Sequence, residues 1–141
     1  MTGTGLRSLG AILTAVVIGF GATLVGCATF GPVTPFAVSD IKEVTGTWKG
    51  VVYTTTESDP SYITLVIRED GSYEIVSAQG PIGTSRGRGK IVVSGGRLLI
   101  EGARGRGEGR VLRDSEGNLT MEVDGTMSDN STLSAKLARS N

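Results

Sequence analysis

The side chains that most often carry out chemistry in proteins are scarce in this 141-residue chain. It contains one cysteine, Cys27, and no histidine. Without an imidazole the chain lacks the usual base for activating a serine and the commonest metal ligand, and one thiol cannot close an intrachain disulfide. We therefore expect no catalytic residue, no metal site and no cofactor, and do not expect an enzyme. The chemistry left to consider is modification of Cys27.

Acidic residues gather in two stretches, 114–118 and 124–130, which could be mistaken for cation sites. Both are rich in Asp, Asn and Gly, the residues that turns require for backbone reasons. Neither has the spacing of a calcium-binding loop. The sequence therefore predicts turns at both places.

Cys27 stands at the end of an apolar stretch, Leu9 to Val25, and Arg7 is the only charged residue before it. A weakly basic start followed by an apolar run is the layout of a secretory signal. The alternative is an uncleaved transmembrane helix, but the stretch lies at the short limit for a span and contains several glycines. We predict a signal helix over residues 1–26.

The residues Leu24-Val25-Gly26-Cys27 resemble the lipobox of bacterial lipoproteins. That resemblance implies cleavage after Gly26, a diacylglycerol on the Cys27 sulfur, and often a third acyl chain on the new amino terminus. Two or three long chains hold a protein firmly on a membrane, whereas one holds it only marginally. Because Ala28 follows the cysteine in place of an aspartate, the resemblance implies the outer membrane, with the protein facing the periplasm.

The charge of the chain argues against a nucleic-acid partner. Basic and acidic residues number 14 each, and loss of residues 1–26 would remove only Arg7. The stretches 86–90 and 104–110 resemble Arg-Gly boxes, but no aromatic residues are interleaved for base stacking. If these stretches are strands, their arginines alternate with glycines and point outward, where they form a basic stripe of Arg86, Arg88, Arg104 and Arg106. The stripe is either a solvated face paired with Glu101, Glu108 and Glu122, or a surface for anionic headgroups or polymers.

Residues 28–45 include Pro32 and Pro35 and show no sustained period, so with Cys27 they are predicted to form a flexible tether (27–45). Fully extended at ~3.3 Å per residue, it would lift the following domain up to ~60 Å from the bilayer. Within it, residues 39–44 fit one helical turn with Ser39 as its cap.

From Gly46 to the end, short alternating segments separated by turn residues predict eight antiparallel strands. The predicted strands are Thr47–Thr55, Tyr62–Glu69, Ser72–Gln79, Ser85–Val93, Arg97–Gly102, Gly107–Arg113, Leu119–Val123 and Thr132–Arg139. One face of nearly every strand is apolar, and closing the sheet on itself would bury that face and remove exposed edges. The predicted fold of residues 46–141 is all-β, an up-and-down eight-stranded barrel or a strongly curved sheet.

The opening of the first strand, Gly46-Thr47-Trp48, resembles the Gly-x-Trp signature of the calycins, the superfamily of lipocalins, fatty-acid-binding proteins and avidins. The resemblance implies that a basic residue near the end of the last strand packs over the tryptophan and closes the barrel. Arg139 is in the right place for this role, through a cation–π contact with Trp48. The domain is shorter than a typical lipocalin, and neither a flanking helix nor a second lipocalin motif is evident.

Glycines on the predicted inner face leave two readings of the interior open. They either accommodate bulky side chains from across the barrel and leave it filled, as the short domain favours, or leave room for a small apolar ligand. The hollow reading makes the chain a non-enzymatic binding module, with ligand residues Trp48, Tyr73, Gly87, Gly89 and Met121. The filled reading favours a structural or assembly lipoprotein that docks on an envelope protein or anionic polymer through its outer face.

Overall fold

A computed structural model describes residues 31–79 and 83–140 of the chain. The predicted signal segment, Cys27 and the first residues of the predicted tether lie outside these ranges. Nine strands are present. They are β1 (Thr34–Phe36), β2 (Gly46–Thr54), β3 (Ser61–Ile67), β4 (Ser72–Gln79), β5 (Gly83–Ser94), β6 (Arg97–Gly102), β7 (Gly105–Arg113), β8 (Leu119–Met127) and β9 (Thr132–Ser140). A short 3-10 helix, Ile41–Val44, lies between β1 and β2.

Strands β2 to β9 form the predicted eight-stranded up-and-down barrel, in which each strand pairs antiparallel with the next. The barrel closes because β2 also pairs with β9, with Trp48 opposite Arg139 and Thr54 opposite Leu133. The all-β prediction is thereby confirmed. A closed barrel leaves none of these strands as an open edge.

The hairpin turns use the residues that their geometry requires. Gly95 and Gly96 both have positive φ angles, 58° and 79°, as a two-residue hairpin turn of the favoured kind demands. In the longer turns, the carboxylates of Asp70, Asp114 and Asp129 each accept a hydrogen bond at 2.9 Å from the backbone N–H two residues later. The cluster at 114–118 forms a turn, as the sequence predicts, whereas of the stretch 124–130 only residues 128–130 do, because residues 124–127 continue strand β8.

Hydrogen bonds to these three carboxylates favour their charged forms and lower their pKa values below the ordinary range. The largest cause is a neighbouring side chain in each case: Ser72 for Asp70, Asn118 for Asp114 and Ser131 for Asp129. These surface carboxylates stabilise their turns by accepting hydrogen bonds from nearby backbone N–H groups.

One end of the barrel is filled with side chains, and we call it the base. Trp48 and Met121 are fully buried there. The indole Nε1 of Trp48 donates a hydrogen bond to the Val44 carbonyl at 2.8 Å. The Arg139 guanidinium lies 5.9 Å from the centre of the Trp48 ring and donates to the carbonyls of Glu43 and Thr45, at 3.1 and 2.6 Å. The predicted contact between Arg139 and Trp48 is therefore present.

The segment from Thr34 to Val44, which we call the base strap, crosses this end of the barrel. Its first part is β1, which pairs with Val111–Arg113 of β7, where Arg113 lies 4.1 Å from the centre of the Phe36 ring. The backbone N–H of Val38 then donates to the Gly96 carbonyl at 3.1 Å. Val38 and Val44 are both buried in the core.

The base strap differs from the flexible tether that the sequence predicts for residues 27–45. The difference arises because Phe36, Val38 and Val44 remove apolar surface from water at the base, although they follow no regular period. The helical turn is present, but its cap is Asp40, whose side chain accepts from the Lys42 N–H at 2.9 Å. Ser39 instead donates to the carboxylate of Glu43.

Candidate ligand-binding cavity

The half of the barrel away from the base encloses a cavity of about 710 Å³. Its wall comes from the strands, and its rim from the hairpins β2–β3, β6–β7 and β8–β9, through Glu57, Arg104 and Asp129 among others. All three hairpins lie at the end opposite the base strap, because antiparallel strands alternate in direction. The cavity therefore opens away from the base.

Apolar side chains make up most of the cavity wall. They come from seven of the eight barrel strands and are Val52, Ile63, Leu65, Ile75, Ile91, Ile100, Val123, Leu133, Ala135 and Leu137. These residues belong to the apolar strand faces that the sequence predicts to be buried inside the barrel. A concave apolar site with a few polar groups is the usual form of a small-molecule site, and such sites span roughly 300–1,000 Å³.

Tyr73 is the polar residue set deepest in this wall. It is 9% exposed, and burial raises the pKa of its phenol. The residue lines the cavity, and its hydroxyl oxygen lies beside Gly102.

The rim of the cavity is polar. Ser61 donates to a Glu57 carboxylate oxygen at 3.2 Å, and Ser131 donates to Asp129. On the other side of the opening, Arg104 donates to the Ser85 hydroxyl at 2.9 Å. A molecule lying in the cavity would thus have its apolar part surrounded by the wall and its outer end near hydroxyls and charged groups.

Two inward glycines make room for Tyr73. A β-carbon at Gly89 would collide with the Glu101 carbonyl oxygen and lie 2.7 Å from Tyr73 Cε1, and one at Gly102 would collide with the Tyr73 hydroxyl. At Gly87 the nearest atom to a β-carbon would be the Ile75 Cγ2 methyl, at 2.8 Å, so this glycine makes room for Ile75. Gly87 also lines the cavity, where it leaves an inward position without a side chain.

The interior is therefore filled at the base and hollow toward the rim, which corrects the expectation of a filled barrel. The five ligand residues predicted from the sequence divide between these two regions. Tyr73 and Gly87 line the cavity. Trp48 and Met121 are buried in the base, and Gly89 lies under the Tyr73 ring, so these three are not part of the cavity wall. Large inward side chains fill a barrel, and Trp48 and Met121 do so at the base.

The better signal for the cavity wall was position along each strand. Inward residues near the hairpins of the open end line the cavity, among them Val52, Ile75, Leu133 and Ala135. Strand phase puts such residues on the inner face, and closeness to the turns of the open end distinguishes the cavity wall from the base.

The side chains of the predicted basic stripe, Arg86, Arg88, Arg104 and Arg106, are exposed on β5, β7 and the turn before β7. Their acidic partners differ from those expected. Glu108 pairs with Arg97, Glu122 pairs with Arg110 at 2.8 Å, and Glu74 lies 3.2 Å from Arg68 and 4.0 Å from Arg86. Ion pairs among the described residues thus involve other arginines more than the stripe itself.

None of the helical segments within residues 31–79 and 83–140 has the length and apolar character needed to span a bilayer. Comparison with models of known protein families gave no match, and comparison with curated proteins gave none.

Proposed function

We propose that this chain is a binding module that holds a small apolar molecule or lipid in the open half of its barrel. The cavity of about 710 Å³, with its apolar wall and polar rim, is the observation that carries the proposal. Burial of apolar ligand surface against Val52, Ile75, Leu133 and their neighbours would supply the affinity, at roughly 25 cal/mol per Å² before the costs of association. The Tyr73 hydroxyl and the rim would orient any polar atoms.

The cavity favours this role over the alternative of a structural lipoprotein that docks through its outer face. The alternative needs a packed interior, whereas the barrel is packed only at the base. Our proposal is not catalytic, because the chain has no histidine to activate a serine and its one cysteine is proposed to carry the lipid.

The second part of the proposal is that the barrel is tethered to a membrane through acyl chains on Cys27. It rests on the lipobox resemblance of Leu24-Val25-Gly26-Cys27 at the end of an apolar run. We place the protein in the bacterial envelope, at the outer membrane and facing the periplasm. Acyl analysis of the purified full-length chain by mass spectrometry tests this part.

The binding role is tested with a fluorescent apolar probe, N-phenyl-1-naphthylamine, titrated into a soluble form that begins at residue 28. We expect saturable fluorescence enhancement. Ala135→Leu, which puts three more carbons into the cavity wall, should weaken binding about tenfold, or about 1.4 kcal/mol.

Ala138→Leu is the matched control, because Ala138 lies on the same strand but faces solvent. It should bind the probe as the parent chain does. Absence of fluorescence enhancement in the parent, or equal binding by all three proteins, would contradict an internal site.

A further inference from the structure

The base strap determines how the barrel can stand on the membrane, provided that the anchor proposed above is correct. The described chain begins beside the turn between β7 and β8, since a β-carbon at Gly31 would lie 3.2 Å from Ser115 Cβ. Three residues later Thr34 pairs with Arg113, the last residue of β7. Both contacts are at the base.

The distance from the anchor to the base is therefore short. Cys27 and Gly31 are four residues apart, so their α-carbons can be separated by at most about 14 Å. The 18-residue tether predicted from the sequence would have allowed ~60 Å. Because Thr34–Val44 packs on the barrel, these residues cannot extend, and most of the predicted reach is lost.

The barrel itself is longer than this free segment. Strand β2 has nine residues, or about 30 Å along the strand, which a tilt of 35–45° reduces to roughly 20–25 Å along the barrel axis. If the opening rested on the bilayer, the base and Gly31 would be held that far from the lipid. Four residues cannot span this gap.

We infer that the barrel stands with its base toward the anchoring membrane and the mouth of its cavity facing away from it. A bound molecule therefore enters and leaves on the aqueous side, where the rim with Arg104 and Glu57 is open to approach. A donor or acceptor of the ligand must come to that side, and direct uptake from the bilayer that holds the anchor is excluded by the reach of the tether.

The test uses the full-length acylated chain in phospholipid vesicles that carry a nitroxide quencher on their headgroups. One cysteine is introduced for a fluorescent label, either at the base as Glu116→Cys or at the rim as Ala103→Cys; both positions are exposed. Because Cys27 is acylated, the new thiol is the only one to react. We expect quenching to be several-fold stronger for the label at position 116 than for the label at position 103.

Equal quenching at both positions, or stronger quenching at position 103, would overturn the proposed orientation. Inserting about 12 Gly and Ser residues after Ala28 adds up to ~40 Å of reach and should reduce the difference between the two labels. Failure of the anchor is distinguished by mass: a chain without acyl groups on Cys27 would overturn both the anchor and the orientation, whereas an acylated chain with reversed quenching would overturn only the orientation.

Discussion

Trp48 packs the base of the barrel and does not line the cavity. Its ring is fully buried at the base, its N–H is bonded to the strap at Val44, and Arg139 covers it. These contacts join the first and last strands of the barrel to the base strap. They also keep Trp48 away from the cavity, whose wall is made of smaller inward residues.

We expect Trp48→Phe to lower the free energy of unfolding by about 2–3 kcal/mol. Phenylalanine leaves part of the tryptophan volume empty and leaves the buried Val44 carbonyl without its donor. Urea unfolding of the soluble form, followed by circular dichroism, measures the change. Tyr62→Phe, at a residue that is 70% exposed, is the control and should stay within about 0.5 kcal/mol of the parent. A loss below that value for Trp48→Phe would show that its contacts matter little.

Tyr73 is the counterpart of Trp48 in the open half. Gly89 and Gly102 provide the space for its ring, and its hydroxyl lies in the wall of the cavity. It is the residue where the filled and hollow parts of the interior meet.

At the scale of the elements, the base strap is the segment of the described chain that lies outside the eight barrel strands and packs against them. It supplies a ninth strand next to β7, a capped 3-10 helix and two buried valines. It also brings the carbonyls of Glu43 and Thr45 to Arg139. The strap closes the base and determines where the chain leaves it.

Replacing Phe36 tests whether the strap stabilises the fold. Phe36 is partly buried against the core and carries the Arg113 guanidinium on its ring, so Phe36→Ala should cost about 1–2 kcal/mol of unfolding free energy. Thermal or urea unfolding of the soluble form measures it. Val33→Ala, one residue before the strap and 55% exposed, should change stability by less than about 0.5 kcal/mol. Equal effects of the two substitutions would mean that the strap is not part of the folded unit.

The strands could be predicted where apolar and polar residues alternate clearly, as they do in the first half of β8 and along β9. Where the predicted bounds are too short, glycine is the reason. Strand β8 runs to Met127 instead of ending at Val123, and β7 begins at Gly105 instead of Gly107. Gly107 and Gly125 occupy inward positions without a side chain, so the apolar alternation disappears in the half of the barrel that is hollow.

The strap could not be predicted for a related reason. A strand of three residues is too short to show alternation, and Pro35 within it is typical of a linker or an edge strand. Its buried residues Phe36, Val38 and Val44 are unevenly spaced. Burial there depends on the shape of the base, which is formed by distant strands, and local sequence carries no sign of it.

At the scale of the whole molecule, the barrel has two halves that differ in packing. The base is packed with large side chains and sealed by the strap, and this half holds most of the largest fully buried side chains, among them Trp48, Leu98 and Met121. The other half keeps an open cavity whose wall is apolar and whose rim is polar.

Native mass spectrometry of the soluble form, purified gently from a bacterial host, tests the hollow barrel most directly. We expect the folded protein to carry an extra mass of a small molecule that is lost on denaturation, or to acquire one after incubation with a bacterial lipid extract. Identifying that mass would give the class of ligand. A bare polypeptide mass before and after incubation with the extract would contradict the binding role.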